Sequence, residues 1–124
     1  MARILVIDDN AVNLDLMLYL LRAFGHAAEG RSDGEAGLEA VRGGQFDLVL
    51  TDVLMPGIDG YELARQLKAD ERCAAIPLIA VTALAMPGDR ERIAGVGFDG
   101  YIAKPIEPRT FVAQVEALLH REGR

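Results

Sequence analysis

Four short, uninterrupted runs of apolar residues constrain the fold more than any other feature of this sequence. The runs lie at residues 4–7, 48–50, 78–81 and 101–103. Strands that are buried on both faces have this continuous pattern, which is typical of a parallel sheet covered by helices. The mixed segment at residues 27–31 predicts a fifth, weaker strand at an edge of the same sheet.

A helix is predicted between the first two strands. Asn10 is a suitable N-cap, and Gly25 supplies a stop. Between them, four apolar residues recur at the spacing of one helical face: Leu14, Met17, Leu18 and Leu21. This face is expected to pack against the sheet.

Further helix starts are indicated later in the chain. Ser32 with Glu35, and Asp59 with Glu62, form capping-box patterns before two helices. Pro108 suits the first turn of a last helix.

The segment at residues 88–97 predicts the weakest helix. Its only large aliphatic residues are Ile93 and Val96, and few apolar contacts imply low local stability. With this helix, strand and helix alternate five times, which predicts a (βα)₅ α/β fold with helices on both faces of a parallel sheet. Because the five units use residues 1–124, we expect one domain without an output domain.

The composition narrows the possible partners. The 124 residues carry 13 basic and 19 acidic side chains, a net charge of −6, with a pI near 4.8. The excess of negative charge argues against direct binding to nucleic acid or to an anionic membrane. Cys73 is the only cysteine, and no apolar run approaches the roughly 18 residues of a membrane span. We therefore expect a cytoplasmic protein.

Polar residues follow the strands where each apolar run ends. Asp8 and Asp9 follow the first predicted strand, Asp52 the third, Thr82 the fourth and Lys104 the fifth. Ligands of open α/β sheets bind beyond these carboxyl ends. The three carboxylates and the ammonium sum to −3 + 1 = −2, a charge that one divalent cation neutralises.

Oxygen ligands without histidine or cysteine favour Mg²⁺. We expect Asp9 and Asp52 to contact the ion directly, and Asp8 to act mainly through a bound water. The backbone carbonyl of Leu54 could complete the set.

The ordered set of motifs resembles a known family. The motifs are Asp8-Asp9, Asp52, Met55-Pro56-Gly57-Ile58-Asp59-Gly60, Thr82-Ala83 and Lys104-Pro105. Together they resemble the receiver domain of two-component response regulators, across the whole chain. The resemblance implies a doubly wound, flavodoxin-like sheet with strand order 2-1-3-4-5.

The resemblance also implies roles for these residues. Asp52 would be the phosphoacceptor, taking a phosphoryl group from a phosphohistidine of a sensor histidine kinase or a histidine phosphotransfer protein. Mg²⁺, Lys104 and Thr82 would stabilise the phosphoryl oxygens. The Lys104-Pro105 peptide would be cis. Such a domain is a signalling module rather than an enzyme, since it catalyses only its own phosphorylation and dephosphorylation.

A conformational switch is implied as well. Thr82 would move toward the phosphoryl group and Tyr101 would turn inward, which changes the face of the fourth helix, fifth strand and fifth helix for a downstream partner. Leu54 and Leu84 stand where fast self-dephosphorylating receivers tend to carry polar residues. We therefore predict a long-lived phosphoryl group.

Three other functions compete with this interpretation. A phosphatase of the haloacid dehalogenase type needs an acid two residues after its nucleophile, where this chain has Leu54 or Asn10. A flavodoxin-like cofactor binder needs a phosphate-binding first loop, which Asp8 and Asp9 would oppose. A receiver-fold adaptor that binds partners without phosphorylation stays open. The start at Met1 and the charged end favour a stand-alone receiver over a piece of a longer chain.

Overall fold

The computed structural model describes residues 2–84 and 86–121, in which five strands and five helices alternate. The strands are β1 (Arg3–Ile7), β2 (Ala27–Arg31), β3 (Leu48–Thr51), β4 (Leu78–Thr82) and β5 (Gly100–Ala103). The helices are α1 (Ala11–Ala23), α2 (Gly34–Gly43), α3 (Gly60–Ala69), α4 (Pro87–Gly95) and α5 (Phe111–Arg121).

All strands pair in parallel in one sheet of order β2-β1-β3-β4-β5. The predicted α/β class and the strand order implied by the resemblance are both confirmed, and β2 is an edge strand as expected. Ile7 pairs with Thr51, and Thr82 pairs with Ala103. The residues that follow these strands therefore meet at one edge of the sheet.

Two apolar layers enclose the sheet. Ile4 and Val6 of β1 face the layer that contains α1 and α5, whereas Leu5 and Ile7 face the layer of α2, α3 and α4. The central strands are buried on both faces, which explains their continuous apolar sequences. β5 lies at the other edge and only its Ile102 is buried, so the prediction that the run at residues 101–103 is buried on both faces is wrong.

Two predicted helix caps are confirmed and one is wrong. Asn10 accepts a hydrogen bond from the Asn13 N–H, and Asp59 accepts one from the Glu62 N–H. The cap of α2 is Asp33 rather than Ser32, because the Asp33 carboxylate accepts a 2.7 Å hydrogen bond from the N–H of the third helical residue. A carboxylate at this position also interacts favourably with the helix dipole.

The last two helices differ slightly from the prediction. α5 begins at Phe111, because residues 108–110 form a turn in which the Glu107 carbonyl accepts hydrogen bonds from the Thr110 and Phe111 N–H groups. α4 begins at Pro87 and ends at Gly95. Only one α4 side chain, Ile93, is buried, which agrees with the prediction that this helix has few apolar contacts.

Candidate functional site

Backbone pairing at the strand ends positions the polar residues. The Asp8 N–H donates to the Arg31 carbonyl at 3.1 Å, and the Asp52 N–H donates to the Ile7 carbonyl at 2.9 Å. The Lys104 N–H donates to the Thr82 carbonyl at 2.9 Å. Each residue is thus held at the tip of its strand by the neighbouring strand.

Three carboxylates gather at this edge. One oxygen each from Asp8, Asp9 and Asp52 lies within 4.8 Å of the other two. Asp8 is fully buried and Asp52 is nearly so, whereas Asp9 is exposed. The cluster therefore opens to solvent on the Asp9 side.

Lys104 neutralises part of this charge. Its Nζ lies 2.9 Å from Asp8 Oδ2 and 2.9 Å from Asp52 Oδ2. It donates a hydrogen bond to Asp52 Oδ2. Burial raises the pKa of Asp8 above its ordinary 3.8, although the Asn10 N–H and Lys104 oppose the shift. Burial also disfavours the Lys104 ammonium, but its hydrogen bond to Asp52, its close contact with Asp8 and the negative charge of both carboxylates outweigh this effect and raise the Lys104 pKa.

The donor set fits a hard divalent cation. Asp8 Oδ2 is buried and accepts no well-directed hydrogen bond from any described residue, despite its short distance to Lys104. The cluster offers only oxygen ligands, and three carboxylates with one ammonium sum to −2. Because oxygens bound to one Mg²⁺ lie at most about 4.2 Å apart, carboxylate oxygens within 4.8 Å of one another are close enough to surround one ion with little movement.

The backbone after β3 lies against the acidic cluster. The Leu54 N–H donates to Asp52 Oδ1 at 3.3 Å, and the Thr51 hydroxyl donates to the Asp52 carbonyl at 2.9 Å. The Leu54 side chain is 56% exposed and stands at the rim of the site.

Thr82 and Tyr101 are connected through one residue. The Leu84 N–H donates to Thr82 Oγ1 at 3.2 Å, and the Tyr101 hydroxyl donates to the Leu84 carbonyl. Thr82 is buried, while the half-buried Tyr101 ring packs on the core with the Arg90 guanidinium 5.3 Å from its centroid. The structure thus links the two proposed switch residues, which the resemblance alone did not show. The Lys104-Pro105 peptide bond is cis, as the resemblance implied.

Two supporting residues were not recognised as such from the sequence. A Cβ at Gly60 would lie 2.5 Å from the Asp52 carbonyl oxygen and 2.6 Å from Val53 Cα, so only glycine allows α3 to begin this close to Asp52. The Asn10 N–H donates to Asp8 Oδ1 at 2.9 Å, which fixes the Asp8 carboxylate while the Asn10 side chain caps α1. The glycine after the Asp59 cap was a signal that could have revealed the close approach.

Comparison with known families shows to which family this chain belongs. The family model described as the response regulator receiver domain matches residues 4–116. The chain belongs to the response regulator receiver domain family. Membership of this family agrees with the flavodoxin-like fold and the acidic edge of the sheet. Receiver domains are signalling modules of two-component systems.

Other receivers are similar to this chain over nearly their whole length. The polar-differentiation response regulator DivK of Brucella ovis is 37% identical over 116 residues, which are 94% of each chain. The receiver domain of a signal transduction histidine kinase from Syntrophus aciditrophicus is 31% identical, has a TM-score of 0.88, and is matched over 100% of this chain and 94% of that one.

A third similar structure contains a metal. The receiver domain of sensor histidine kinase PA1611 from Pseudomonas aeruginosa is 32% identical with a TM-score of 0.86, and the match covers 99% of this chain and 98% of that one. That receiver has a magnesium ion coordinated in its active site cleft.

Within the described part of our receiver, no helix has the length and apolarity that a membrane crossing requires.

Proposed function

We propose that this receiver accepts a phosphoryl group on Asp52 from a phosphohistidine, in a Mg²⁺-dependent reaction. The observation that carries the proposal is the position of the Asp52 carboxylate. It lies at the tip of the central strand, hydrogen-bonded to Lys104 and within 4.8 Å of oxygens of Asp8 and Asp9. A carboxylate with a cation on one side is a competent nucleophile for phosphoryl transfer.

The chain's own residues perform separate tasks in this reaction. A carboxylate oxygen of Asp52 attacks phosphorus, a new O–P bond forms, and the P–N bond to the donor imidazole breaks with its electrons left on nitrogen. Lys104 would neutralise charge on the phosphoryl oxygens, and Thr82 would offer a hydroxyl donor from the neighbouring strand.

A metal ion would be held by Asp9 and Asp52 directly, by Asp8 through water, and by the Leu54 carbonyl. Mg²⁺ bound there supplies positive charge to the transferring phosphoryl oxygens. The magnesium-containing receiver of PA1611 supports this assignment, as do the buried Asp8 oxygen and the all-oxygen donor set.

The phosphoryl donor would be a sensor histidine kinase or a histidine phosphotransfer protein, as is general for receiver domains. The signal would leave through the face formed by α4, β5 and α5, which changes for a downstream protein. A shift of Thr82 toward a phosphoryl group would break its hydrogen bond from the Leu84 N–H. Since the Tyr101 hydroxyl binds the carbonyl of the same Leu84, the movement would reach β5. The weakly packed α4 would respond with little cost.

The test of phosphorylation uses a small phosphodonor such as acetyl phosphate. With Mg²⁺ we expect intact-mass spectrometry to show one added phosphoryl group on the wild type and none on Asp52→Asn. Asp59→Asn is the matched control, because Asp59 caps α3 and should leave labelling intact. Full labelling of Asp52→Asn would overturn the assignment. Absence of labelling in the wild type, with partner binding retained, would favour the alternative of a receiver-fold adaptor.

A further inference from the structure

One face of α1 carries two opposite charges around a hollow. Asp15, Leu18, Tyr19 and Arg22 recur at i, i+3, i+4 and i+7, so they lie side by side on one face of the helix. With Ala23 they line a surface hollow of about 410 Å³. We refer to these four residues as the α1 face.

The α1 face has an apolar centre. Leu18 forms its floor and lies against the β2 edge, since a Cβ on Gly30 would meet Leu18 Cδ1 at 2.8 Å. Tyr19 is 69% exposed. A large aromatic side chain beside an open hollow is typical of surfaces that contact another protein.

The charges at the two ends of the face are opposite. Arg22 donates from Nε and Nη2 to the Ala28 carbonyl at 3.1 and 2.8 Å, which fixes the guanidinium and leaves Nη1 for another partner. Asp15 is exposed and forms no ion pair with the described side chains. The two residues are seven positions, or about 10 Å, apart along the helix.

This pattern is complementary to itself. When two copies of α1 pack antiparallel about a two-fold axis between Leu18 and Tyr19, Asp15 of each copy lies opposite Arg22 of the other. Leu18 and Tyr19 lie on opposite flanks of the helix, so Tyr19 of each copy lies beside Tyr19 of the other, and Leu18 beside Leu18. A two-fold operation keeps residues on the same flank of both helices, so both ion pairs form together.

We propose that the α1 face is a self-association surface, on which a second copy of this chain binds antiparallel. A 13-residue helix spans only about 20 Å, so the contact is small and the association is expected to be weak. The inference concerns the unmodified chain and does not rest on phosphorylation of Asp52.

The test is sedimentation velocity between about 10 µM and 1 mM, a range that covers weak self-association. We expect the sedimentation coefficient of the wild type to rise toward that of a dimer as the protein concentration increases. Asp15→Lys and Arg22→Glu should each raise the dissociation constant at least tenfold, because each places like charges opposite one another. An equimolar mixture of the two variants should associate again, since both pairs then have opposite charges. Only an intermolecular contact gives that recovery.

Two more variants keep the result interpretable. Tyr19→Ser should also abolish association, without removing the Arg22 hydrogen bonds that Arg22→Glu loses. Phe24→Ser is the control, because Phe24 is 65% exposed but follows the helix and lies outside the α1 face. A wild type that stays monomeric at 1 mM overturns the proposal. So does association that Asp15→Lys leaves unchanged. If the monomer instead shows amide shifts at these four residues only on addition of a histidine phosphotransfer protein, the face belongs to that partner and the proposal is wrong.

Discussion

The Lys104 ammonium lies 2.9 Å from a carboxylate oxygen of Asp52, so the tip of edge strand β5 is joined to the tip of the central strand β3 across β4. The same ammonium lies 2.9 Å from the fully buried carboxylate of Asp8. Lys104 therefore occupies the place beside two of the three carboxylates, and a divalent cation would have to share the site with it.

We predict that Lys104→Met makes the fold more dependent on Mg²⁺. Without the ion, the buried Asp8 and Asp52 carboxylates lose their neutralising partner, which should lower the free energy of unfolding by about 1–3 kcal/mol. With the ion, binding should be tighter than in the wild type because a positive neighbour is gone. Urea unfolding with and without Mg²⁺ measures both effects, and phosphorylation should slow by about 10²-fold or more.

Lys68→Met is the matched control for this experiment. Lys68 pairs with Asp99 at 2.9 Å and also donates to the carbonyls of Ala74 and Ile76, far from the acidic cluster. Lys68→Met should lower the free energy of unfolding, but the stability that Mg²⁺ adds should be the same as in the wild type. Equal Mg²⁺ increments in Lys104→Met and in the wild type would contradict the proposed ion site.

Gly60→Ala should damage the site, and Gly95→Ala should not. The new Cβ at residue 60 would overlap the backbone of Asp52 and Val53, which has no flexible end to move aside, so we expect a loss of about 2–4 kcal/mol. At Gly95, within α4, a Cβ meets no described heavy atom within 4 Å, and the helix should gain about 0.5–1 kcal/mol. Chemical denaturation compares the two, and equal effects would refute the close approach at Gly60.

Removing the Tyr101 hydroxyl should weaken the connection between Thr82 and β5. Tyr101→Phe loses one hydrogen bond to the Leu84 carbonyl, which should cost about 0.5–1.5 kcal/mol. Addition of beryllofluoride and Mg²⁺ should shift the backbone amides of β5 in the wild type, and the shifts should be smaller in Tyr101→Phe. Identical shifts in both proteins would show that the signal does not pass through this hydroxyl.

The phosphorylated form should be long-lived, and Leu54→Asn should shorten its lifetime. Leu54 stands at the rim of the site and Leu84 packs on the core beside Thr82, so neither offers a polar group that could orient an attacking water. An asparagine at 54 could do so, and we expect loss of phosphate to accelerate by roughly tenfold or more. Leu54→Ala separates water access from water orientation. Release of phosphate from the wild type within seconds would contradict the prediction.

Asp70 should stabilise the folded state by an amount that is lost in acid. A hydrogen bond from the Arg72 side chain, then one from the Arg72 N–H, holds the pKa of Asp70 below its ordinary 3.8. Because the folded pKa is the lower one, the contribution is present above pH 3.8 and is lost as the pH falls through the folded value.

Arg72→Ala should raise the Asp70 pKa toward 3.8, as read by nuclear magnetic resonance titration of its carboxyl carbon. The difference in stability between Arg72→Ala and the wild type should then shrink in strong acid. Arg42→Ala should move the Asp70 pKa less, since Arg42 acts on Asp70 only through its charge. A larger shift in Arg42→Ala than in Arg72→Ala would contradict this account.

Local sequence determined the element order and the chemistry of the site. A continuous apolar run predicts a buried strand without knowledge of its neighbours, and the next residue then lies at the sheet edge by geometry alone. For this reason the amino-acid sequence was sufficient to assign Asp8, Asp52 and Lys104 to one place. The edge position of β2 followed from its mixed composition in the same way.

Tertiary packing decided what local patterns leave open. Ser32 and Asp33 are both good caps, and α2 begins after Asp33, where a Cβ on Gly34 would lie 2.2 Å from the Ile58 carbonyl oxygen. Asp8 and Asp9 are adjacent in sequence, yet in the folded chain one is buried and the other exposed. These outcomes depend on contacts between residues that are distant in the chain, so the positions of those partners must be known first.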